Sequence, residues 1–144
     1  SEAEKAMGRA MGDWLEGGPP RTVTPAELAQ VLPESESALR AMLLRRRIAG
    51  DLWAIAEGRF MLPDHVARLA ASAAFLASEA PEGFSAAQFR DATGIGRNHV
   101  IRLLEFFDRI GICIRRGEYR VMRAGWQAIV GEATPWLAGE SAAR

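Results

Sequence analysis

Between Gly96 and Gly111 the apolar residues Val100, Leu103, Leu104 and Phe107 fall at i, i+3, i+4 and i+7, which collects them on one side of an α-helix. Past Gly111, a helix-ending glycine, the pattern turns extended: Ile112-Cys113-Ile114, a turn near Arg116-Gly117, then Tyr119-Arg120-Val121-Met122. The same succession occurs earlier. A helix opening near Ser35 ends at Gly50, followed by Leu52-Trp53-Ala54-Ile55, a turn at Glu57-Gly58, and Arg59-Phe60-Met61-Leu62. Two further helices precede each of these. An Ala-rich one (2–16; 64–79) stops at Gly17-Gly18-Pro19-Pro20 or Ala80-Pro81-Glu82-Gly83, and Pro63 suits the first turn of the second copy. A short one follows Thr24-Pro25 or Ser85 as N-cap and ends near Val31 or Ala92.

The chain is therefore an internal repeat. A shift of 61 residues matches Leu15 with Leu76, Pro20 with Pro81, Leu43 with Leu104, Gly50 with Gly111, Glu57 with Glu118, Arg59 with Arg120 and Met61 with Met122, with no insertion. Three helices closed by a β-hairpin predict a winged helix-turn-helix. The expected fold is mostly α with small β-hairpins (α+β), in two tandem winged-helix domains, 1–62 and 63–144. The second carries a tail, with Trp126, Ile129, Val130, Trp136 and Leu137, that the pattern alone does not place.

Composition narrows the function. Apolar residues make up 49% and charged residues 25% of 144, enough for a real core. No run is apolar enough to span a membrane, and the acidic start is neither a signal nor a transit peptide. The absence of an initiator Met suggests processing or excision from a longer chain. One cysteine, Cys113, excludes an internal disulfide and reads as a core thiol between isoleucines. With His65, expected at the surface, and His99 as the only imidazoles, no metal site and no catalytic triad is expected. Lys5, the single lysine, lies outside any Gly-Lys-Ser/Thr sequence, so no P-loop is expected and the chain reads as a non-enzyme. No cofactor is expected either.

Charge adds a direction. Residues 1–80 hold 9 Lys+Arg against 11 Asp+Glu, whereas 81–144 hold 9 against 7, and within 95–123 seven arginines face three carboxylates. On a helical period Asn98, Arg102, Glu105 and Arg109 point away from the apolar stripe, and Arg97 lies in the first turn, where free N–H groups favour an anion. Arg115, Arg116 and Arg120 flank the hairpin turn. Helix start and wing thus present one basic surface, the geometry with which winged helices meet nucleic acid. Ion pairs of Glu105 with Arg102 or Arg109, and of Glu118 with Arg116 or Arg120, would absorb part of it. Arg45-Arg46-Arg47 reads as structural, relieving a helix dipole or packing against the other copy.

Phe89-Arg90-Asp91, Arg97, Leu103-Leu104-Glu105-Phe106-Phe107-Asp108-Arg109-Ile110-Gly111 and Arg115-Arg116-Gly117-Glu118-Tyr119-Arg120 resemble the final winged-helix domain of the bacterial selenocysteine-specific elongation factors, the SelB family. Asn98 stands where that family usually has Lys, and Glu118 where it usually has Asp. The resemblance implies a cytoplasmic, monomeric, C-terminal fragment of a GTP-dependent translation factor. It would bind the mRNA hairpin called SECIS, while the rest of the factor holds GTP and selenocysteinyl-tRNA and meets the ribosome. Arg97, Asn98 and Arg102 would then meet loop bases. Arg115, Arg116 and Arg120 would grip phosphates, Arg90 would support them, and Tyr119 would stack on a base or cover the core. Two other readings stay open: a tandem winged-helix regulator of transcription on duplex DNA, and a protein-docking module.

Overall fold

A computed structural model describes residues 1–139, so the last five residues of the expected second domain lie outside it. The chain divides into two compact units, one at Ser1–Pro63 and one from Asp64 onward. Among the described residues no helix is long and apolar enough to cross a membrane.

In the first unit α1 (Glu2–Leu15), α2 (Pro25–Ala29) and α3 (Glu36–Ile48) precede the hairpin β1 (Trp53–Ala56) and β2 (Arg59–Met61). Thr24 and Glu27 form a reciprocal capping box at α2, and Ser35 caps α3 through the Ala38 amide. Each satisfies N–H groups that a helix start leaves open. Met11, Leu15, Leu28, Leu39, Leu43 and Phe60 are among the residues of one core. A single antiparallel bridge, Val23 to Phe60, ties the segment before α2 to the hairpin. The Arg45-Arg46-Arg47 run closes α3. Arg45 pairs with Glu4, holding that carboxyl below its usual range, and Arg46 pairs with Asp51 at 3.6 Å. Gly8 makes room for the Arg46 guanidinium, because a Cβ there would lie 2.0 Å from it.

The second unit repeats the order with α4 (Pro63–Ser78), β3 (Phe84–Ser85), α5 (Ala86–Thr93), α6 (Arg97–Arg109), β4 (Cys113–Arg116) and β5 (Tyr119–Met122), then adds α7 (Trp126–Val130). Its sheet has three strands in the order β3-β5-β4. Val100, Leu103, Leu104, Phe106 and Phe107 of α6 are buried. Phe89 packs between Phe84 at 6.0 Å and the edge of Phe107 at 6.4 Å. Burial of each such side chain is worth about 1.5–3 kcal/mol.

Three features were not foreseen from the sequence. His65 is buried (4% exposed), because the apolar side of α4 runs through 65–67. The tail, which the sequence pattern does not place, is the short helix α7 and then a strap held against α4 and α5. The Ser72 hydroxyl bonds both the Trp136 carbonyl (2.7 Å) and its amide (2.9 Å), and the indole donates to the Thr93 carbonyl. Finally, the repeat slips by one in its hairpins. Trp53 pairs with Met61 and Ala54 with Phe60, while Ile114 pairs with Val121 and Arg115 with Arg120. A bulge between Ala54 and Ala56 absorbs one residue of β1. The identities Glu57/Glu118, Arg59/Arg120 and Met61/Met122 therefore do not occupy equivalent places.

Candidate nucleic-acid interface

Helix α6 begins differently from α2, α3 and α5. Its N-cap is Gly96, which makes no side-chain cap bond, so its first-turn N–H groups have no side-chain acceptor. Arg97 and Asn98 stand exposed in that turn and Arg102 is half-exposed one turn on. No ion pair or hydrogen bond within the described residues occupies the side chains of Arg97, Asn98 or Arg102. With the open N–H groups they form a positive helix start. Ile101, 44% exposed, lies on the same helix and supplies an apolar surface among these polar groups.

The wing carries Arg115 and Arg116, both exposed. Arg115 Nε donates to the Gly117 carbonyl at 2.9 Å, which folds the guanidinium over the turn. The Arg116 side chain has no hydrogen-bond or ionic partner among the described residues. Tyr119 is exposed at 37% rather than covering the core. Arg90, on α5, is half-buried and makes a long contact of 3.4 Å with the neighbouring Asp91.

Arg120 is the exception among the expected site residues. It is 5% exposed and closes a two-pronged ion pair on Asp108 of α6, Nε at 3.0 Å and Nη2 at 2.8 Å. A guanidinium buried and occupied in this way is not offered to a phosphate, so the expected grip on backbone falls to Arg115 and Arg116. Arg120, one of the two partners expected for Glu118, is taken by Asp108 instead. Strand pairing shows why it turns inward: Arg120 of β5 lies opposite the buried Phe84 of β3. Gly83 lets β3 approach there. With φ at +94°, it sits where a Cβ would be 2.0 Å from the Arg120 carbonyl oxygen. Cys113 lies beside the pair, 3% exposed, its thiol pushed up to about 12 by burial and by the Asp108 charge.

Three helices and a wing twice over, with Arg97, Arg102, Arg115 and Arg116 on α6 and the wing of the second copy, define a tandem winged-helix protein. Residues 75–122 match the family model "Elongation factor SelB, winged helix". The selenocysteine-specific elongation factor of Escherichia coli is 35% identical over 97 residues, covering 67% of this chain and 16% of that protein. Its counterpart in Haemophilus influenzae is 28% identical over 123 residues, covering 85% and 18%. Among solved structures, the mRNA-binding domain of elongation factor SelB from E. coli, in complex with SECIS RNA, superposes with a TM-score of 0.74 at 32% identity. That match covers 85% of this chain and 98% of that one. A bacterial selenocysteine-specific elongation factor EF-Sec shares the fold, with a TM-score of 0.63 at 18% identity over 85% of this chain and 19% of that one. The chain belongs to the SelB family of selenocysteine-specific elongation factors. It spans less than a fifth of the length of the curated relatives it matches.

Proposed function

We propose that this chain is the RNA-reading part of a selenocysteine-specific translation elongation factor, recognising the loop of a SECIS hairpin in mRNA and so supporting selenocysteine insertion at UGA. The observation that carries the reading is the match, over 98% of its length, to a relative solved on SECIS RNA. It is supported by the cations Arg97, Arg102 and Arg116, whose side chains have no partner within the described residues. The deep major groove of A-form RNA is too narrow for side chains to read, so sequence is taken from unpaired loop or bulge bases. Arg97, Asn98 and Arg102 meet those bases, Arg115 and Arg116 hold flanking phosphates, and Arg90 supports them from α5. The fragment itself is non-catalytic. GTP, selenocysteinyl-tRNA and the ribosome are engaged by the remainder of a cytoplasmic factor.

The test is a titration of the 144-residue chain with a SECIS hairpin, a twin with a scrambled loop, and duplex DNA. The hairpin binds at least ~10-fold more tightly than either competitor, the discrimination that a single good base contact of about 1–3 kcal/mol supplies. Equal affinity for all three refutes loop reading, and preference for the duplex favours a DNA regulator. In the same titration Arg97→Ala loses about 1–3 kcal/mol. Arg46→Ala, whose guanidinium is engaged by Asp51 in the first unit, loses far less. Alike losses would refute the assignment to the second unit.

A further inference from the structure

The two units fill one position of the wing in different ways. In each, the middle strand of the wing meets the segment before the second helix: Phe60 bridges Val23 in the first unit, and Arg120 pairs with Phe84 in the second. Phe60 is a core residue, 2% exposed. The second unit puts a guanidinium in that place and supplies a carboxylate from α6 to meet it. At the corresponding point of α3 stands Arg47, exposed. The winged-helix fold therefore forms without the ion pair. An apolar side chain serves the packing, and buried pairs are often matched or exceeded in stability by apolar residues of similar size. What a two-pronged pair adds is direction, since both N–H groups must point at one carboxylate.

That direction joins the two parts of the basic face. Asp108 is in the last turn of the helix that carries Arg97 and Arg102, and Arg120 lies directly across the ladder from Arg115. We propose that the Asp108–Arg120 pair is a positioning clamp that fixes the wing arginines at a set place relative to α6, so that loop and phosphates of the RNA are met together. The clamp rests on the RNA-hairpin reading above. Arg120 is a positioning residue here and touches no RNA.

Salt dependence separates positioning from contact. Each phosphate held by a cation contributes about one to the slope of log K against log salt. The experiment compares Arg115→Ala, Arg120→Lys and the apolar pair Asp108→Leu/Arg120→Met, in the full chain, on the SECIS hairpin. Arg115→Ala lowers the slope by about one. The apolar pair loses about tenfold in affinity, the penalty of a loosened site, and the slope is unchanged in both clamp variants. The apolar pair melts no lower than the parent. Arg120→Lys keeps the charge with a single prong and falls between parent and double variant. Cys113, the only cysteine, gives a readout without RNA: thiol labelling at neutral pH speeds up when the clamp is opened.

A slope that falls in the Arg120 variants overturns the clamp, because Arg120 would then be a phosphate contact. Unchanged affinity in a stably folded double variant overturns it too, leaving the pair a packing feature. If the parent does not discriminate between hairpin and scrambled twin, the RNA reading fails. Unchanged Cys113 labelling in the double variant would show separately that the pair does not hold the wing.

Discussion

Cys113 lies between Ile112 and Ile114 at the base of the second wing, shielded from water and near the Asp108 carboxylate. Its thiol is pushed up from 9.0 to about 12, so in the fold it stays protonated at pH values where the unfolded chain has already ionised. Linkage then works against the folded state. This share of stability is complete below pH 9 and drains away as pH climbs toward 12. The urea midpoint of the parent should fall more between pH 8 and 10.5 than that of Cys113→Ala, which has no thiol to titrate. Equal falls would mean that the thiol reaches solvent. That Cys113 is a core thiol was readable from its two isoleucine neighbours. That Arg120 is interior was not read, because a basic residue beside a hairpin turn is normally solvated and only strand pairing reveals which side it takes.

Helices followed the sequence most closely. The stripe of Val100, Leu103, Leu104 and Phe107 and the caps Thr24, Ser35 and Ser85 locate α6, α2, α3 and α5 because both signals are local. The strap after α7 was illegible because its partners lie over 40 residues away. Ser72 is 64 residues from Trp136, and Thr93 is 43. Ser72 is fully buried, so its hydroxyl has no water to replace the strap. Ser72→Ala removes both bonds and leaves the Trp136 amide and carbonyl without that partner, at a cost of about 1–3 kcal/mol in chemical denaturation. No loss would mean that the indole bond to Thr93 and the stacking of Arg68 on the Trp136 ring, at 5.1 Å, hold the strap unaided.

Taken end to end the protein is neutral, yet its charges are sorted along the chain. That asymmetry was legible by counting. Which cations are bare needed coordinates, since Arg45 and Arg46 of the first unit are spent on Glu4 and Asp51 and Arg120 on Asp108. The proposed RNA reading rests on four others, Arg97 and Arg102 of α6 and Arg115 and Arg116 of the wing. Isothermal titration from 50 to 300 mM salt should give log K falling with log salt at a slope of about −2, near 0.9 for each phosphate held by Arg115 and Arg116. A slope near zero would rule out a phosphate grip by these two, and a slope twice as steep would require further cations on phosphates.

The bulge in the first hairpin bears on anyone wishing to make the protein bivalent. Copying Arg115 and Arg116 into the first unit by counting 61 residues back lands them on Ala54 and Ile55, and Ile55 is 1% exposed. The second transplanted arginine would be driven into the interior, and the graft would unfold its host before it reached a ligand. The equivalents that the register gives are Ala54 and Ala56, which pair with Phe60 and Arg59 as Arg115 and Arg116 pair with Arg120 and Tyr119. The two hairpins of the repeat are thus out of phase by one residue, and a graft guided by the 61-residue spacing alone puts its second cation in the wrong place.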